Sequence, residues 1–346
     1  MDKLNVAVFF GGKSSEYSVS LESAYSVIRN LNREKYEPVA VGISEKGDWF
    51  YFQGEAEKIK EDTWLNDKDA VAAMLSPARS EHRLLVFGKD KMSYIPIDAA
   101  FPVLHGKNGE DGTIQGLIEL AGIPLAGCGV LASALCMDKD RAHKLVSLAG
   151  VRVPKACVFR QRSAGEAYAF AERIGYPLFV KPVKAGSSYG VTKVQKPQEL
   201  EAAVWLAFQH DDEIIVEENI EGFEVGCAVL GNGELMTGEV DEIELSGGFF
   251  DFTEKYTLKT SAIYVPARIE ADKAKEIKET AKVIYKALGC RGFARVDMFL
   301  TPEGDVVFNE VNTIPGFTEH SRYPGMMKAA GHSFGEVLDK IMALAF

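Results

Sequence analysis

Residues 308–321 read FNEVNTIPGFTEHS, and a turn at 301–304 separates them from an earlier run that begins RVDMF at Arg295. We interpret the two runs as neighbouring strands of a β-hairpin. Successive side chains of a strand point to opposite faces, so residues two apart share one face. Four polar side chains follow this alternation: Arg295 and Asp297 on the first strand, and Glu310 and Asn312 on the second.

This arrangement indicates nucleotide chemistry. A cation beside three oxygen-bearing side chains makes a poor hydrophobic core. The same set is well suited to Mg²⁺ and to the phosphate groups whose charge Mg²⁺ offsets. The hairpin therefore predicts that the protein handles a nucleotide.

The composition is typical of a globular enzyme with two or three domains. The chain has 346 residues, of which 47% are hydrophobic and 26% are charged. Its formal net charge of −11 argues against nonspecific binding to nucleic acid or to anionic membranes, since both select basic surfaces. No stretch approaches the ~20 apolar residues needed to cross a bilayer. We therefore expect neither a nucleic-acid nor a membrane partner.

The five cysteines are scattered and form no CxxC pair. We interpret them as reduced thiols that fill small spaces in the core. Such thiols favour a reducing compartment, so the expected location is the cytoplasm.

Strand and helix patterns alternate along the chain and predict an α/β protein. Predicted strands at 5–10 and 36–43 flank a predicted helix at about 20–31, and this βαβ opening indicates a parallel sheet covered by helices. We further expect one helical stretch at 131–149, a long helix at about 271–288 and a terminal helix at about 333–344. Three α/β modules follow: an N-terminal Rossmann-like substrate domain at 1–124, a central subdomain at 125–216, and a C-terminal domain with the metal site at 217–346.

A candidate phosphate-binding loop follows Lys181. This lysine lies near the end of the apolar strand FVKP, which Pro182 ends, and the loop KAGSSYG at 184–190 comes next. Backbone amides and hydroxyls of such a loop can fold over phosphates, because glycine permits close approach. The P-loop pattern GxxxxGK[ST] is absent, and a plain hairpin turn is the alternative.

Acidic residues near the predicted end of the central subdomain form a second candidate site. Glu217 ends a strand, and Glu224 lies seven residues further on. These carboxylates could accept hydrogen bonds from an adenine amino group or from ribose hydroxyls. Solvated acid on a loop is the alternative.

The predicted helix that follows the motif MDK carries further charge. Lys139 starts or interrupts this helix, and a surface role is the alternative to a role in binding. Arg141, His143 and Lys144 look like a solvated helix face.

Two residues of the N-terminal region lie where predicted strands end. Glu16 lies in the loop GGKSSEYSVS, and a carboxylate at the carboxyl edge of a parallel sheet is placed to hold an ammonium group. His105 precedes the loop GKNGEDGT. A lone histidine is usually structural, but this position makes His105 a candidate for substrate binding.

Several motifs together resemble the D-alanine–D-alanine ligase family of ATP-grasp enzymes. They are GGKSSEYSVSL, HGKNGEDGTIQG, MDK, FVKP with GSSYG, EKY, and RVDMF with FNEVNTIPGFTEHS, in this order. The resemblance spans residues 9 to 324. Within the family, the chain looks most like the D-alanine–D-serine ligases of vancomycin resistance. The resemblance implies an ATP-grasp fold with a Rossmann-like (pre-ATP-grasp) N-terminal domain, ATP, two Mg²⁺ ions with Mn²⁺ as a substitute, and a homodimer.

The resemblance also implies roles on the nucleotide side of the site. The implied metal ligands are Asp297, Glu310 and Asn312. The implied phosphate contacts are Lys139 and Lys181, together with Ser187 and Ser188 in a closing loop. The implied adenine and ribose contacts are Glu217, Ile220 and Glu224.

Other implied roles concern the first substrate and the intermediates. Glu16 matches the carboxylate that holds the ammonium group of the first D-alanine, with Ser187 and Tyr256 as its partners. Arg295 and the Gly316 amide match the groups that stabilise the acyl phosphate and the tetrahedral intermediate. The Ser187 loop and the segment 245–256 are predicted lids that exclude water.

The acceptor site is implied at Lys255 and Ser321, which match the pair that binds the carboxylate of the second substrate. The Lys255–Tyr256 pair favours an amine acceptor over D-lactate. Arg322 resembles the residue of D-serine ligases, and a guanidinium can hydrogen-bond a serine hydroxyl. The alternatives for Arg322 are a surface arginine or one that serves only the carboxylate.

We therefore expect ATP-dependent ligation of D-alanine to D-serine through D-alanyl phosphate, which would make a peptidoglycan precursor. The main alternative is the D-alanine–D-alanine ligase of ordinary cell-wall synthesis. A different ATP-grasp enzyme should lack the EYSVSL loop and the KY pair. A nucleotide-binding regulator without catalysis would be expected to lose Arg295 or a metal ligand, and this chain has all of them.

Overall fold

The computed structural model describes residues 3–161, 164–186, 189–245 and 261–346. Within these ranges the strands form three sheets, and helices pack against them. Across the described parts of the chain, no helix combines the length and the apolar composition required to span a bilayer.

The N-terminal sheet begins with the predicted βαβ unit. Strand β1 (Leu4–Gly11) leads into helix α1 (Tyr17–Asn30) and then into β2 (Tyr36–Ile43). Strand β1 lies between β2 and β7 (Ala99–Pro102) and runs parallel to both. The carboxyl ends of these three strands therefore meet at one edge, which confirms the predicted opening.

The rest of this sheet corrects the expectation of a parallel sheet. Four further strands, β3 (Trp49–Phe52), β4 (Ala70–Leu75), β5 (Arg83–Phe87) and β6 (Met92–Pro96), extend it beyond β2 in antiparallel order. The short connections between β2 and β3 and between β5 and β6 allow antiparallel pairing, whereas parallel strands need a long crossover. A short helix, α2 (Glu57–Lys60), interrupts this series, and α3 (Thr113–Leu120) follows β7.

The predicted helical stretch at 131–149 is two helices, α4 (Val130–Met137) and α5 (Lys139–Leu148). Asp138 separates them with an extended backbone, and its Oδ1 accepts a hydrogen bond of 2.9 Å from the Arg141 amide. Aspartate is a strong N-cap, so it starts a new helix here rather than continuing the first. The break places Lys139 at the first position of α5.

The central sheet has the order β10-β9-β11-β8, and its neighbouring strands are antiparallel. Its strands are β8 (Ala156–Arg160), β9 (Leu178–Pro182), β10 (Thr192–Val194) and β11 (Glu213–Glu218). Helices α6 (Ala164–Ile174) and α7 (Leu200–Ala207) share a buried apolar cluster with it. The described parts of the 184–190 loop lie between β9 and β10.

The C-terminal sheet has the order β15-β14-β12-β16-β17, and β13 pairs with β12. Its strands are β12 (Phe223–Leu230), β13 (Met236–Thr237), β14 (Asp241–Leu245), β15 (Ser261–Tyr264), β16 (Phe293–Leu300) and β17 (Val306–Asn312). Its helices are α8 (Ala271–Ala287), α9 (Arg322–Ala329) and α10 (Phe334–Ala343). The predicted long and terminal helices are thus confirmed, and α9 was not predicted.

Each predicted module contains one of the three sheets, and the boundaries at 124 and 216 stay predictions. Strand β11 runs on to Glu218, two residues past the second boundary. Helices α4 and α5 belong to the apolar cluster of the C-terminal sheet, where Cys136 and Val146 share a core with α8.

An aromatic cluster joins the N-terminal and C-terminal sheets. Phe101 of β7 packs edge-on against Phe293 of β16 at 5.8 Å between ring centroids, and Phe317 contacts both rings at 6.1 and 5.6 Å. All three rings are buried. Such pairs contribute about 0.5–1.5 kcal/mol each beyond the area they bury. The cluster holds the segment after β17 against the carboxyl edge of the N-terminal sheet.

Candidate active site

The predicted hairpin is present as β16 and β17. Arg295 pairs with Asn312 and Asp297 pairs with Glu310 across the two antiparallel strands, and the register shifts immediately after Asp297. The predicted turn is closed by a 2.9 Å hydrogen bond from the Gly304 amide to the Thr301 carbonyl. The four polar residues therefore lie opposite one another on neighbouring strands, as their alternation predicts.

Asp297 is the centre of this group and is 1% exposed. Arg295 holds both of its oxygens, with Nε 2.8 Å from Oδ1 and Nη2 2.7 Å from Oδ2. The Asn312 amide donates to Oδ2 at 2.8 Å. Burial opposes the positive charge of Arg295, but the Asp297 and Asp241 carboxylates together outweigh it and raise the Arg295 pKa. A fixed cation therefore lies beside the predicted metal ligands.

The donor set suits Mg²⁺. Two carboxylates and one amide, from Asp297, Glu310 and Asn312, offer only oxygen as metal ligands. Among the described residues, no cluster of three or more His, Cys, Asp or Glu side chains could hold a metal ion. Mg²⁺ commonly binds through one or two carboxylates and completes its shell with water and substrate phosphates. The residues fit a Mg²⁺ ion that is held jointly with a nucleotide.

Lys181 and Glu217 form an ion pair on adjacent strands β9 and β11, with 11% and 4% of their side chains exposed. The second oxygen of Glu217, Oε2, is buried and has no hydrogen-bond partner among the described residues. A buried acceptor of this kind is costly unless a donor reaches it. An amino or hydroxyl group of a nucleotide would satisfy Oε2, which agrees with the role predicted for Glu217.

Lys139 and Ile220 lie near the ends of the adjacent strands β9 and β11. The Lys139 ammonium donates to the Ala185 carbonyl at 2.7 Å, so it contacts the predicted phosphate loop. Ile220 is half-buried between β11 and β12. Four predicted site residues lie outside the described ranges: Ser187, Ser188, Lys255 and Tyr256.

His143 corrects the expectation of a solvated helix face. It is 6% exposed, its Nε2 lies 3.2 Å from the Asn309 carbonyl, and its ring packs edge-on against Phe308. Burial lowers its pKa. Arg141 and Lys144 are exposed, as predicted. Residues four apart in a helix share a face, so His143 lies on the same face of α5 as Lys139. This face is turned toward β17 at His143.

Glu16 lies where three loops meet. It directly precedes α1 and is 7% exposed. A Cβ atom on Gly106 would lie 2.5 Å from its Oε2, and one on Gly186 would lie 3.0 Å from the same atom. The two glycines therefore leave room for the carboxylate between the loop after β7 and the loop after β9. This is the sheet edge at which Glu16 was predicted to hold an ammonium group.

The role of His105 in substrate binding stays a prediction, and the structure shows that both of its ring nitrogens have partners within the protein. Its Nδ1 lies 2.9 Å from the Ile314 carbonyl, its Nε2 lies 3.3 Å from the Ser23 hydroxyl, and the residue is 4% exposed. Burial lowers its pKa, which favours the neutral ring. Because both ring nitrogens have protein partners, the geometry makes His105 a link between modules. The sequence could not show this, since Ile314 is 209 residues away.

Glu110 was missed, although it lies in the quoted motif HGKNGEDGTIQG. Its Oε2 accepts the Gly106 amide at 2.9 Å, and its Oε1 accepts the Ile314 amide at 3.2 Å. Burial and the nearby charges of Glu16 and Glu310 raise its pKa to about 8, against the opposing effect of the two amides. The motif HGKNGEDGTIQG, which contains Glu110, is the sequence feature that indicates this residue.

Ser321 and Gly316 lie close together at the start of α9. The Ser321 hydroxyl accepts the Thr318 amide at 3.0 Å and lies 2.8 Å from the Thr318 hydroxyl. A Cβ atom on Gly316 would lie 3.1 Å from this hydroxyl. Two predicted groups, the amide that meets the intermediate and the anchor of the acceptor, are therefore neighbours.

Arg322 is buried among carboxylates, and its side chain is 8% exposed. It binds Asp241 at two points, Nε to Oδ2 at 2.6 Å and Nη2 to Oδ1 at 2.8 Å. Its Nη1 donates to Glu224 at 2.7 Å, and Nη2 lies 3.4 Å from Asp297. Arg322 is thus not a surface arginine, and Glu224, predicted for ribose, is paired with it.

Asp241 and Gly226 complete this cluster and were not predicted. Asp241 is fully buried in β14. It faces Gly226 of β12, where an added Cβ atom would lie only 2.4 Å from the Arg322 guanidinium. No sequence signal distinguished Asp241 from the other acids around it, because its role depends on a partner that is 81 residues away.

Comparison with known proteins identifies the family. The family model described as D-ala D-ala ligase N-terminus matches residues 5–128, and that described as D-ala D-ala ligase C-terminus matches residues 145–343. The chain belongs to the D-alanine–D-alanine ligase family. Ligases of this family depend on ATP.

Three relatives of this ligase span its full length. The crystal structure of VanG D-Ala:D-Ser ligase from Enterococcus faecalis is 58% identical, covers 100% of both chains and superposes with a TM-score of 0.93. The vancomycin/teicoplanin A-type resistance protein VanA of Enterococcus faecium is 45% identical, over 100% of this chain and 99% of its own. A D-alanine–D-alanine ligase of Caldicellulosiruptor bescii is 42% identical, over 100% and 96%.

These relatives confirm the resemblance and the mixed α/β ATP-grasp fold. Their names differ in the activity they state, so membership of the family does not by itself identify the acceptor of this ligase. The residues around Arg322 bear on the identity of the acceptor.

Proposed function

We propose that this ligase joins D-alanine to D-serine, with ATP as the second substrate of the activation step and D-alanyl phosphate as the intermediate. A carboxylate is a poor electrophile, and phosphorylation converts it into an acyl phosphate that an amine can attack. The observation that carries the choice of D-serine is the buried Arg322 guanidinium, one residue past Ser321.

The nucleotide side rests on β16, β17 and the Lys181–Glu217 pair. Asp297, Glu310 and Asn312 would hold Mg²⁺, which offsets charge on the transferring phosphoryl group when bound. Lys139 and Lys181 would meet the phosphates. The Glu217 oxygen Oε2, which no donor from the described part of the chain reaches, would accept a hydrogen bond from the base or the ribose.

The first substrate is held at the edge of the N-terminal sheet. Glu16 would bind the ammonium group of D-alanine. The carboxyl group of that D-alanine would then face Arg295. When the amine attacks, negative charge develops on the carbonyl oxygen. The Arg295 guanidinium and the Gly316 amide are the groups proposed to stabilise that charge, and donors fixed in advance are the most effective.

The acceptor pocket follows from the position of Arg322. Asp241 and Glu224 orient the guanidinium at the start of α9. It lies next to Ser321, the residue proposed to bind the acceptor carboxylate. A serine hydroxyl can hydrogen-bond to this polar wall, directly or through water, whereas a methyl group cannot. Discrimination between the two side chains is strong only where the site bonds the hydroxyl.

The second candidate is a D-alanine–D-alanine ligase. It is favoured by one observation: three nitrogens of Arg322 already bind carboxylates. In that case the arginine orients α9 and does not contact the acceptor. A cytoplasmic homodimer is proposed in either case, and the five free thiols support the reducing location.

The test is product analysis by mass spectrometry. The purified protein is given ATP, Mg²⁺ and D-alanine, alone and then with an equal concentration of D-serine or D-lactate. We expect D-alanyl-D-serine to dominate in the serine competition. A dominant D-alanyl-D-alanine product would support the second candidate, and the absence of any dipeptide would refute both.

A further inference from the structure

The segment 313–317, which we call the oxyanion loop, is held by the N-terminal module at three backbone points. The Ile314 amide donates to Glu110 at 3.2 Å, and the Ile314 carbonyl lies 2.9 Å from Nδ1 of His105. The Phe317 amide donates to the Ser23 hydroxyl at 3.2 Å. The backbone amide and carbonyl of Ile314 and the backbone amide of Phe317 are therefore all bonded to side chains of another module.

The three side chains that hold the loop are themselves connected. The Ser23 hydroxyl lies 3.3 Å from Nε2 of His105, and the other oxygen of Glu110 accepts the amide of Gly106, the residue after His105. Ser23 is fully buried and His105 is 4% exposed. The neutral His105 tautomer with hydrogen on Nδ1 satisfies every contact. We call Ser23, His105 and Glu110 the loop clamp.

The loop clamp anchors the chain on both sides of Gly316, at Ile314 and at Phe317. We propose that Ser23, His105 and Glu110 are positioning residues that aim the Gly316 amide at the carbonyl oxygen of the reacting D-alanyl group. The inference rests on the proposed function, because it concerns an amide whose role belongs to that reaction.

Orientation explains the clamp better than stability does. The aromatic cluster of Phe101, Phe293 and Phe317 already secures the loop. Placing a carboxyl group beside Glu16 and Glu310 is electrostatically unfavourable, and burying polar groups gains little net stability even when they are bonded. Hydrogen bonds do add direction, which packing of rings lacks. A misplacement of about 1 Å can lower a rate by two orders of magnitude.

The experiment measures steady-state kinetics of Ser23→Ala, Glu110→Gln and the conservative Glu110→Asp. We expect kcat to fall about 10- to 100-fold for Ser23→Ala and Glu110→Gln, with the KM for ATP within about twofold of the wild type. Glu110→Asp should retain more activity than Glu110→Gln. Slower attack by the amine gives water time to intercept the acyl phosphate, so the ratio of phosphate released to dipeptide formed should rise above one.

Glu119→Gln is the matched control. Glu119 also accepts a backbone amide across a module boundary, that of Val130 at 3.1 Å, but it is exposed and far from Gly316 in the chain. Its kcat and product ratio should equal those of the wild type.

Wild-type kcat with a ratio of one in both clamp variants would overturn the inference, as would a rise in KM for ATP that matches the fall in kcat. If Glu110→Gln does not fold, the inference is tested by Ser23→Ala alone, which removes a single oxygen atom. Failure of the proposed function is distinguishable, because the wild-type protein itself would then make mainly D-alanyl-D-alanine or no dipeptide at all.

Discussion

Arg322 and Asp241 form a buried two-point pair, with Nε and Nη2 of the arginine at 2.6 and 2.8 Å from the two carboxylate oxygens. The pair joins the first residue of α9 to the first residue of β14. It brings the acceptor end of the site and the metal-binding hairpin into one charged cluster, since Arg322 also approaches Asp297.

Asp241→Ala should lower the free energy of unfolding by about 3–5 kcal/mol, because it leaves the buried Arg322 charge without its main partner. Denaturant unfolding of the ligand-free protein measures this. The control is Asp305→Ala, which breaks a pair with Arg152 that is equally close at 2.6 Å but 50% and 57% exposed. That loss should stay below about 1 kcal/mol. Equal losses of unfolding free energy in Asp241→Ala and Asp305→Ala would contradict the idea that burial sets the cost of breaking the pair.

Arg322→Met should shift the product ratio toward D-alanyl-D-alanine in a competition with equal D-serine, because the variant loses the donor proposed for the serine hydroxyl. The shift should be on the order of 10-fold or more. Mass spectrometry of the two dipeptides measures it. Arg268→Met, which removes another carboxylate-bound arginine outside the acceptor site, is the control. A ratio equal to that of the wild type would refute the role of Arg322 in specificity.

Arg295→Ala should lower the ligation rate at least 10²- to 10³-fold, because the developing oxyanion loses a charged donor. ATP binding, measured by calorimetry in the presence of Mg²⁺, should stay largely intact. Arg295→Lys keeps the charge but loses the two-point contact with Asp297, so it should recover only part of the rate. A parallel loss of ATP affinity and rate would place Arg295 in nucleotide binding instead.

Glu110 should make stability depend on pH. Its pKa is raised to about 8 in the folded protein, above its ordinary value of 4.5. Between these values the folded state binds more protons than the unfolded state, so stability falls as pH rises, by on the order of 1 kcal/mol per pH unit at most. Wild-type protein without ATP or Mg²⁺ should therefore lose stability relative to Glu110→Gln between pH 5 and pH 8. A difference that is constant across this range would contradict the prediction.

Local pattern was sufficient for much of the fold. Strand alternation placed Arg295, Asp297, Glu310 and Asn312 correctly, because a hairpin brings together residues that are close in the chain. The long helix and the terminal helix followed from the same kind of periodicity. The break at Asp138 was missed because an apolar pattern does not show where a cap begins a second helix.

The sequence alone determined the residue types of the site, the hairpin that carries the metal ligands and the family resemblance. Only the tertiary structure decided which residues are partners: His105 with the Ile314 carbonyl, Glu110 with the Ile314 amide, and Arg322 with Asp241. The physical reason is distance along the chain. These contacts join residues 81 to 209 positions apart, and neither alternation nor helical period carries information over that span.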